Sequence, residues 1–271
     1  MPELAEAEFY RKRWDLAACG AIVTSVLTHD RAGVFRGTDP ASVRRHLTQA
    51  RLQSSQAAAK QMMFHFSGDS WLGLHLGMSG ELRSEPPGYV PQKHDHLVLV
   101  TPKHALVFTD PRMFGRVQFH HDPAPPAWWT EIAPAILSPS FTLAAVALFL
   151  RRRARTPIKA VLLMQERFPG IGNWMADEVL WRAGFHPEAK AGAFGPLSVR
   201  KLHRTLREVC ADAMRVIGKD WDDPPASWLF NHRWRDGGSC PRTKEPLHRA
   251  EVGGRTTCWS PARQRLGTER R

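Results

Sequence analysis

The first residues of this chain hold the group best suited to act as a nucleophile. Removal of Met1 would leave Pro2 with a secondary amine at the N-terminus, directly before the carboxylate of Glu3. An α-amino group titrates near about pH 8, so part of it is unprotonated at neutral pH, whereas a lysine amine titrates near about 10.4. Such an amine can attack a sugar C1′ to give an iminium while a neighbouring carboxylate moves protons. An ordinary processed terminus has the same sequence, so the hypothesis depends on the rest of the chain.

The charge of the chain indicates a polyanionic partner. Its 271 residues include 38 Lys and Arg against 26 Asp and Glu, a formal net charge of +12, and such an excess attracts nucleic acid. Ribosomal RNA or an anionic lipid surface would satisfy the same charge, so composition gives a class of partner and no activity. No apolar run reaches the roughly 18 residues of a membrane span. The N-terminal segment lacks the apolar core of a signal peptide, which predicts a cytoplasmic protein.

Periodicity and length predict two domains. Over residues 1–121, a helix at 3–15 and a second helix at Arg44–Leu52 accompany short segments typical of antiparallel strands. The strands are predicted at Ala21–Leu27, Gln61–Phe66, Leu72–Leu76, Leu97–Thr101, Ala105–Phe108 and Arg116–His120. This alternation favours a sandwich or a barrel.

A proline-rich linker, predicted at 122–136, separates this region from a helical one. Asp122–Trp129 contains three prolines, which interrupt both helices and strands. A helical domain is predicted at 137–225 and a terminal hairpin at 226–271. The predicted helices are Phe141–Arg153, Ile158–Gln165, Trp174–Ala183 and Ser198–Ile217, the last with Ser198 as its N-cap.

A glycine-rich turn precedes one of these helices, in the segment Gln165–Glu178. Backbone N–H groups in such a turn bind phosphate, and Asn173 adds a side-chain amide. A tight connection between two helices needs glycine for positive φ as well. The segment alone leaves both interpretations open.

Together with four other motifs, this segment resembles the formamidopyrimidine-DNA glycosylase and endonuclease VIII family over nearly the whole chain. The other motifs are Pro2-Glu3-Leu4 with Glu6, Lys60 with His75–Gly80, Asp110–Gly115 and Val252–Arg255. The resemblance implies an α+β fold with an N-terminal β-sandwich and flanking helices, a C-terminal helix-two-turns-helix domain and a hairpin finger. It further implies a monomeric, nucleoid-associated base-excision-repair glycosylase with abasic-site lyase activity. Its partner would be double-stranded DNA that carries an abasic site or an oxidised or ring-opened base, bound between the domains.

The resemblance also implies catalytic roles. Pro2 would form the Schiff base, Glu3 would donate and relay protons, and Glu6 would support the terminus. Three residues would hold phosphates near the lesion, and the two cations among them count as catalytic. They are Lys60, Asn173 and Arg255.

Three further residues match positions that fill the space left by an everted base, which a glycosylase must take out of the stack. They are Met78, Arg112 and Phe114. Lone apolar residues usually pack in a core, but the glycines beside Met78 and Phe114, together with Arg112, favour exposed loop tips. The resemblance thus predicts a void-filling set on two loops.

The terminal finger departs from the family, which has cysteines at four positions. The matched positions here are Cys240, Thr243, Ser260 and Arg263. Cys258 lies two residues before an expected ligand position and cannot complete a four-coordinate zinc site with Cys240 alone. We therefore predict a zincless finger, with no metal and no cofactor.

A second departure concerns the substrate. Members that excise 8-oxoguanine have a long loop over the everted purine, and Gly218–Cys240 is too short for it. The aromatic residues at Trp228, Phe230, His232 and Trp234 could stack on a base, although this alternation is also typical of one strand face. The alternatives that stay open are a glycosylase of different base preference with weak lyase activity, a non-catalytic binder of damaged DNA, and a basic RNA-binding protein.

Overall fold

The computed structural model describes residues 2–266, and the chain forms two compact units, Met1–Ile132 and Ala133–Arg271. Each unit has its own secondary structure. Within the described part of the chain, we find no helix with the length and apolar character needed to cross a bilayer.

The described residues of the first unit form helices and two antiparallel sheets. The helices are α1 (Leu4–Ala18), α2 (Pro40–Leu47) and α3 (Ala127–Thr130). The strands are β1 (Ser25–Thr28), β2 (Leu52–Ala58), β3 (Gln61–Phe66), β4 (Ser70–His75), β5 (Glu81–Glu85), β6 (Asp95–Val100), β7 (Ala105–Thr109) and β8 (Arg116–His121). The sheet orders are β1-β6-β7-β5 and β2-β3-β4-β8.

One apolar core joins these two sheets. Phe64 and Leu72 reach it from the β2-β3-β4-β8 sheet, and Leu99 and Phe108 reach it from the other. Helix α1 closes the core with Trp14, which is fully buried and donates its indole N–H to the Arg83 carbonyl at 2.9 Å. The predicted α+β class and the antiparallel sandwich are confirmed.

The second unit is helical and ends in a hairpin. Its helices are α4 (Leu143–Arg152), α5 (Ile158–Leu162), α6 (Asn173–Ala183) and α7 (Pro196–Asp220). The hairpin strands are β9 (His248–Val252) and β10 (Arg255–Trp259). Gly253 and Gly254 connect them with φ values of 61° and 76°, the left-handed conformation that a two-residue hairpin turn requires.

Several predicted helix boundaries are wrong. A helix was expected at Arg44–Leu52, but α2 begins at Pro40, because the Asp39 carboxylate caps it and proline suits the first turn. It ends at Leu47, and residue 52 begins β2. Ser198 is not a cap, because α7 begins at Pro196 with Gly195 before it. Strands β2 and β5 were not predicted, since both carry mainly polar and small residues.

Candidate active site

The N-terminus of α1 places two carboxylates beside Pro2. Glu3 precedes the helix and forms a capping box with Glu6, in which each side chain accepts the other residue's backbone N–H, at 3.1 Å for the Glu6 carboxylate. Glu3 is 2% exposed and Glu6 is 9% exposed, whereas Pro2 is half-buried. The capping box therefore fixes the Glu3 backbone immediately after the predicted nucleophile.

Helix α1 lies near the start of β5 through Tyr10. Burial raises the pKa of Tyr10, and the negative charges of Glu81 and Glu6 raise it further, although Arg13 opposes them. Glu81 follows Gly80 directly, at the end of the loop that carries Met78. The capping carboxylates and this loop therefore belong to the same region of the first unit.

A row of basic groups crosses one end of the β2-β3-β4-β8 sheet. Lys60 occupies the two-residue turn between β2 and β3, beside Ala59 at φ 56°. The next residue pairs with His75, and His75 pairs with Arg116 on β8. Burial lowers the pKa of His75, and the charges of Lys60, Arg36 and Arg116 lower it further. The sheet thus presents Lys60 within a cluster of cations, a setting that suits an anion.

Two loops leave this end of the sheet and pack closely together. Gly77 has φ 61°, and a Cβ there would lie 2.4 Å from the backbone of Phe114 and Gly115. The fully buried Asp110 holds both loops. Its carboxylate accepts the Ser79 hydroxyl at 2.7 Å, the Gly115 N–H at 2.6 Å and the Arg112 N–H at 3.2 Å.

The predicted void-filling side chains lie at exposed tips of these loops. Met78 is 41% exposed and Phe114 is 51% exposed. The Arg112 guanidinium lies 4.8 Å from the Phe114 ring centroid, within the range of a cation–π contact. Arg36 donates to the carbonyls of Gly115 at 2.7 Å and Phe114 at 3.3 Å. These two bonds hold the backbone of the loop that carries Phe114. The expected exposure is confirmed, and insertion into DNA stays a prediction.

In the second unit, the glycine-rich turn is fixed by its own side chains before α6 begins. The Gln165 side chain accepts the Gly170 N–H at 3.0 Å and donates to the Ile171 carbonyl at 2.8 Å. Gly170 has φ 88°, so this glycine has a conformational reason as well. Asn173 donates its amide to the Thr256 carbonyl at 2.8 Å. One of its two amide hydrogens therefore bonds the hairpin backbone, and the predicted phosphate contact of Asn173 stays a prediction.

Arg255 stands at the first position of β10, directly after the hairpin turn. Its side chain is exposed, and no carboxylate lies within ion-pair distance of it among residues 2–266. The Thr257 hydroxyl donates to the Arg255 carbonyl at 2.9 Å. A Cβ on Gly253 would lie 2.6 Å from Ala160 of α5, so the turn packs directly on that helix. This geometry presents a cation on a fixed backbone.

The residues at the family's four ligand positions do not fit a zinc ion. Burial would raise the pKa of the Cys240 thiol, but hydrogen bonds from Thr243 and from the Trp181 indole lower it to about 6. Burial and the charge of Asp177 raise the pKa of Cys258 to about 12, so its thiol stays protonated. A tetrahedral zinc site needs four ligands. Within the described residues, no cluster of even three potential ligands from His, Cys, Asp and Glu exists.

The aromatic segment after α7 does not form a strand. Leu229–His232 is a short 3-10 helix. Phe230 packs edge-on against Trp174 of α6, with ring centroids 5.0 Å apart, and Trp228 is 6% exposed. Trp234 is 56% exposed. The alternative of a strand face is therefore excluded, since Trp228 and Phe230 pack against Trp174 of α6, and stacking on a base stays a prediction.

Comparison with known proteins agrees with this geometry. Residues 1–117 match the model of the formamidopyrimidine-DNA glycosylase N-terminal domain, and residues 132–222 match that of its H2TH domain. The chain belongs to the formamidopyrimidine-DNA glycosylase family. The formamidopyrimidine-DNA glycosylase of Thermus thermophilus is 33% identical, over 98% of this chain and 100% of that protein. The Roseiflexus enzyme of the same name is 32% identical, with the same coverage of both chains.

Solved structures of the family have the same fold. A Lactococcus lactis formamidopyrimidine-DNA glycosylase bound to DNA with an oxidised pyrimidine has a TM-score of 0.87 and 26% identity, over 97% of this chain and 100% of that chain. The same enzyme bound to abasic-site DNA has a TM-score of 0.85 and 25% identity, over 97% and 99%. The predicted helix-two-turns-helix domain is confirmed.

Several structural supports of this site were not predicted. In the first unit, Asp110 and Arg36 hold the loops of Met78 and Phe114, and in the second unit, Lys159 and Asp177 form a buried ion pair. Asp110 stands inside a motif that was recognised, so its position two residues before Arg112 was an available signal. The buried pair has no local signal, because its members are separated by 18 residues.

Proposed function

We propose that this protein is a base-excision-repair DNA glycosylase with abasic-site lyase activity, and that Pro2 is its nucleophile. The observation that carries the proposal is the start of α1. There, a secondary amine exposed by removal of Met1 would adjoin a carboxylate that is 2% exposed and set in a capping box. Membership of the family supports the same chemistry.

The proposed reaction begins with the Pro2 nitrogen. Its lone pair forms a bond to C1′ of the damaged nucleotide, the bond from C1′ to the base breaks, and Glu3 supplies the proton that leaves with the base. Glu3 then takes the proton from the Pro2 nitrogen and passes it to O4′ as the bond between C1′ and O4′ breaks, which leaves an iminium between Pro2 and C1′. Loss of the C2′ proton expels the 3′ phosphate, and a second elimination expels the 5′ phosphate.

The remaining groups hold DNA. Lys60 and Arg255 are the cations proposed to bind phosphates, and Asn173 adds its second amide hydrogen. Met78 and Phe114 are proposed to fill the hole in the stack, while Arg112 hydrogen-bonds the unpaired opposite base. The relatives suggest the lesions, since Lactococcus lactis structures contain an oxidised pyrimidine or a ring-opened Fapy-dG. A duplex with either lesion is the proposed substrate, and the chromosome in the cytoplasm is where the enzyme would meet it.

Borohydride trapping tests the mechanism. The protein with Met1 removed, incubated with abasic-site duplex and borohydride, is expected to give a covalent complex. A matched protein with one extra residue before Pro2 should bind the duplex and form much less of this complex, because the Pro2 nitrogen is then part of a peptide bond. Equal trapping by both proteins would exclude Pro2 as the nucleophile.

A second comparison separates catalysis from binding. Glu3→Gln should reduce excision of a Fapy-dG base more than cleavage at a preformed abasic site, since breaking the bond to the base needs more proton transfer. Specific binding of damaged duplex without excision or trapping in the unmodified protein would favour the non-catalytic binder.

A further inference from the structure

The outer edge of β10 is bonded to side chains in place of another strand. Arg255 pairs with Val252 across the two-residue turn. Residues 255, 257 and 259 therefore carry the ladder bonds, and the peptide groups of 256 and 258 point away from β9. Asn173 donates to the Thr256 carbonyl at 2.8 Å, and Asp177 accepts the Cys258 N–H at 3.0 Å. Helix α6 thus supplies a donor and then an acceptor, as a neighbouring strand would.

The periodicities of the two elements make this match possible. Residues four apart on a helix advance about 6.0 Å, and residues two apart on a strand advance about 6.8 Å. Asn173 and Asp177 are four apart on α6, and Thr256 and Cys258 are two apart on β10. The next residue on the same face of α6 is Trp181, whose indole donates to the Cys240 sulfur at 3.4 Å. One helix face therefore contacts both parts of the finger.

Asp177 is the centre of this contact. It is 1% exposed and binds two buried cations. Lys159 of α5 contacts Oδ1 at 2.5 Å, and Arg233 contacts Oδ2 at 2.6 Å. Lys159 also donates to the Asn173 carbonyl at 2.7 Å. A carboxylate so held has little freedom to move, so the strand N–H that it accepts is fixed as well.

We propose that Asp177 is the positioning residue for Arg255, because it fixes the register of the hairpin on α6 through the Cys258 N–H. In fingers that hold zinc, folding is coupled instead to binding of the metal ion. The inference rests on the proposed function in one respect, the contact of Arg255 with a DNA phosphate. Asp177 itself is too deeply buried to meet DNA.

The route from Asp177 to Arg255 is short. Two residues of one strand separate Arg255 from the anchored Cys258 N–H, and the Thr257 hydroxyl donates to the Arg255 carbonyl at 2.9 Å. At the other end, the turn glycine Gly253 packs against Ala160. A shift of β10 along α6 by one residue would break the bond between Asp177 and the Cys258 N–H and would separate Gly253 from Ala160. It would also move the Arg255 side chain by about one residue spacing, roughly 3.3 Å.

The test must remove the acceptor without leaving buried cations. Asp177→Asn alone would leave Lys159 and Arg233 unpaired and could unfold the unit. We therefore compare two triple variants that share Lys159→Met and Arg233→Met. One carries Asp177→Asn, which keeps an acceptor for the Cys258 N–H, and the other carries Asp177→Leu, which has none. Circular dichroism checks that both are folded, and Asp236→Asn, in an ion pair whose carboxylate is 88% exposed, is the control.

Arg255→Ala is then added to each protein, and kcat/KM and the salt dependence of binding are measured on abasic-site duplex. In the unmodified protein, loss of the arginine should lower kcat/KM by roughly 10- to 100-fold and the salt slope by about 0.9. The same losses are expected in the control and in the asparagine triple variant. In the leucine triple variant, Arg255→Ala should change kcat/KM by less than about threefold, a loss of coupling that altered stability alone would not produce.

Each outcome decides the question. An undiminished effect of Arg255→Ala in the leucine variant overturns the inference and leaves the proposed function intact. If Arg255→Ala has no effect in the unmodified protein, both the proposed phosphate contact and the inference fail. If the leucine triple variant does not fold, amide hydrogen exchange of residues 255–259 is measured in the asparagine triple variant instead. Protection as in the unmodified protein supports the anchor, and full loss of protection in that folded variant overturns it.

Discussion

Replacing Asp110 with alanine should release the two loops that carry the proposed void-filling residues. Its carboxylate joins Ser79 on one loop to the N–H groups of Arg112 and Gly115 on the other. The side chain is fully buried and touches no predicted catalytic group directly. Loss of activity in this variant would therefore reflect the position of the loops.

The cost can be worked out from the three bonds. The Gly115 N–H is buried, so it would lose its acceptor without gaining water, at about 2 kcal/mol. Ser79 and Arg112 lie closer to solvent and can bond water instead, at about 0.5 to 1 kcal/mol each. The sum is about 3 to 4 kcal/mol of unfolding free energy. Asp110→Asn should also destabilise, because in either orientation its NH2 group would face one of the backbone N–H donors of Arg112 and Gly115.

The assay pairs stability with excision. Urea unfolding gives the free energy, and single-turnover kinetics give base excision and abasic-site cleavage separately. The matched control is Asp39→Ala, which removes a carboxylate that accepts two backbone N–H groups at 3.0 and 3.1 Å at the start of α2. The control should lose about 1 kcal/mol and keep its excision rate. Asp110→Ala should lose roughly 10- to 100-fold in excision, by the misplacement argument.

The result that would refute this reasoning is a dissociation of the two effects. If Asp110→Ala is destabilised as expected but excises a damaged base at the unmodified rate, the loops do not depend on this carboxylate for their function. If it is no less stable than Asp39→Ala, the Gly115 N–H has found another acceptor and the bond count is wrong.

Three other predictions follow from the same geometry. Burial and neighbouring cations lower the folded-state pKa of His75. Its contribution to stability is therefore present above the unfolded pKa of about 6.5 and is lost as the pH falls toward the folded-state pKa. His75→Gln should weaken the pH dependence of the urea midpoint between pH 7 and 5. Lys60→Ala should lower the salt slope of DNA binding by about 0.9, whereas the control Lys103→Ala should leave it unchanged. Equal slopes for the two variants would mean that Lys60 does not contact a phosphate. Treatment with a chelator should change neither activity nor the thermal transition, and stoichiometric zinc with activity restored by zinc would contradict the zincless finger.

The sequence predicted residues that stand in loops better than the boundaries of the elements between them. Met78 and Phe114 were expected to be exposed because glycines flank them, and the structure has both at loop tips. Those glycines permit a close approach of two backbones, as the contact of Gly77 with Gly115 demonstrates. The glycines that indicate a loop in the sequence are also the residues that this close contact requires, so the exposed loop tips could be predicted from the sequence.

The misplaced helix and the missed strands have a different cause. The predicted helix at Arg44–Leu52 followed apolar spacing, but the cap at Asp39 and the proline after it were the stronger signals. Strand β2 carries the sequence LQSSQAA, with mostly polar or small side chains, and it is a strand because it pairs along its length with β3. Pairing with a neighbouring strand decides such segments, and no alternation within the segment reveals it.

The proposed anchoring of the hairpin belongs to this second class, because the missing cysteines predict a finger without zinc but do not predict which side chains hold it. A zinc ion constrains four sulfur or nitrogen atoms at one point, so its presence can be read from four residue types. The side chains proposed to hold this hairpin act on backbone groups of a strand edge, and every residue type except proline has a backbone N–H. The signal therefore lies only in the partner, as a carboxylate at Asp177 four residues after Asn173 on one face of α6. Because Lys159 and Arg233 would be buried without a counter-charge if that carboxylate were absent, these three residues must be exchanged together, and a change at any one alone carries the cost of an unpaired buried charge.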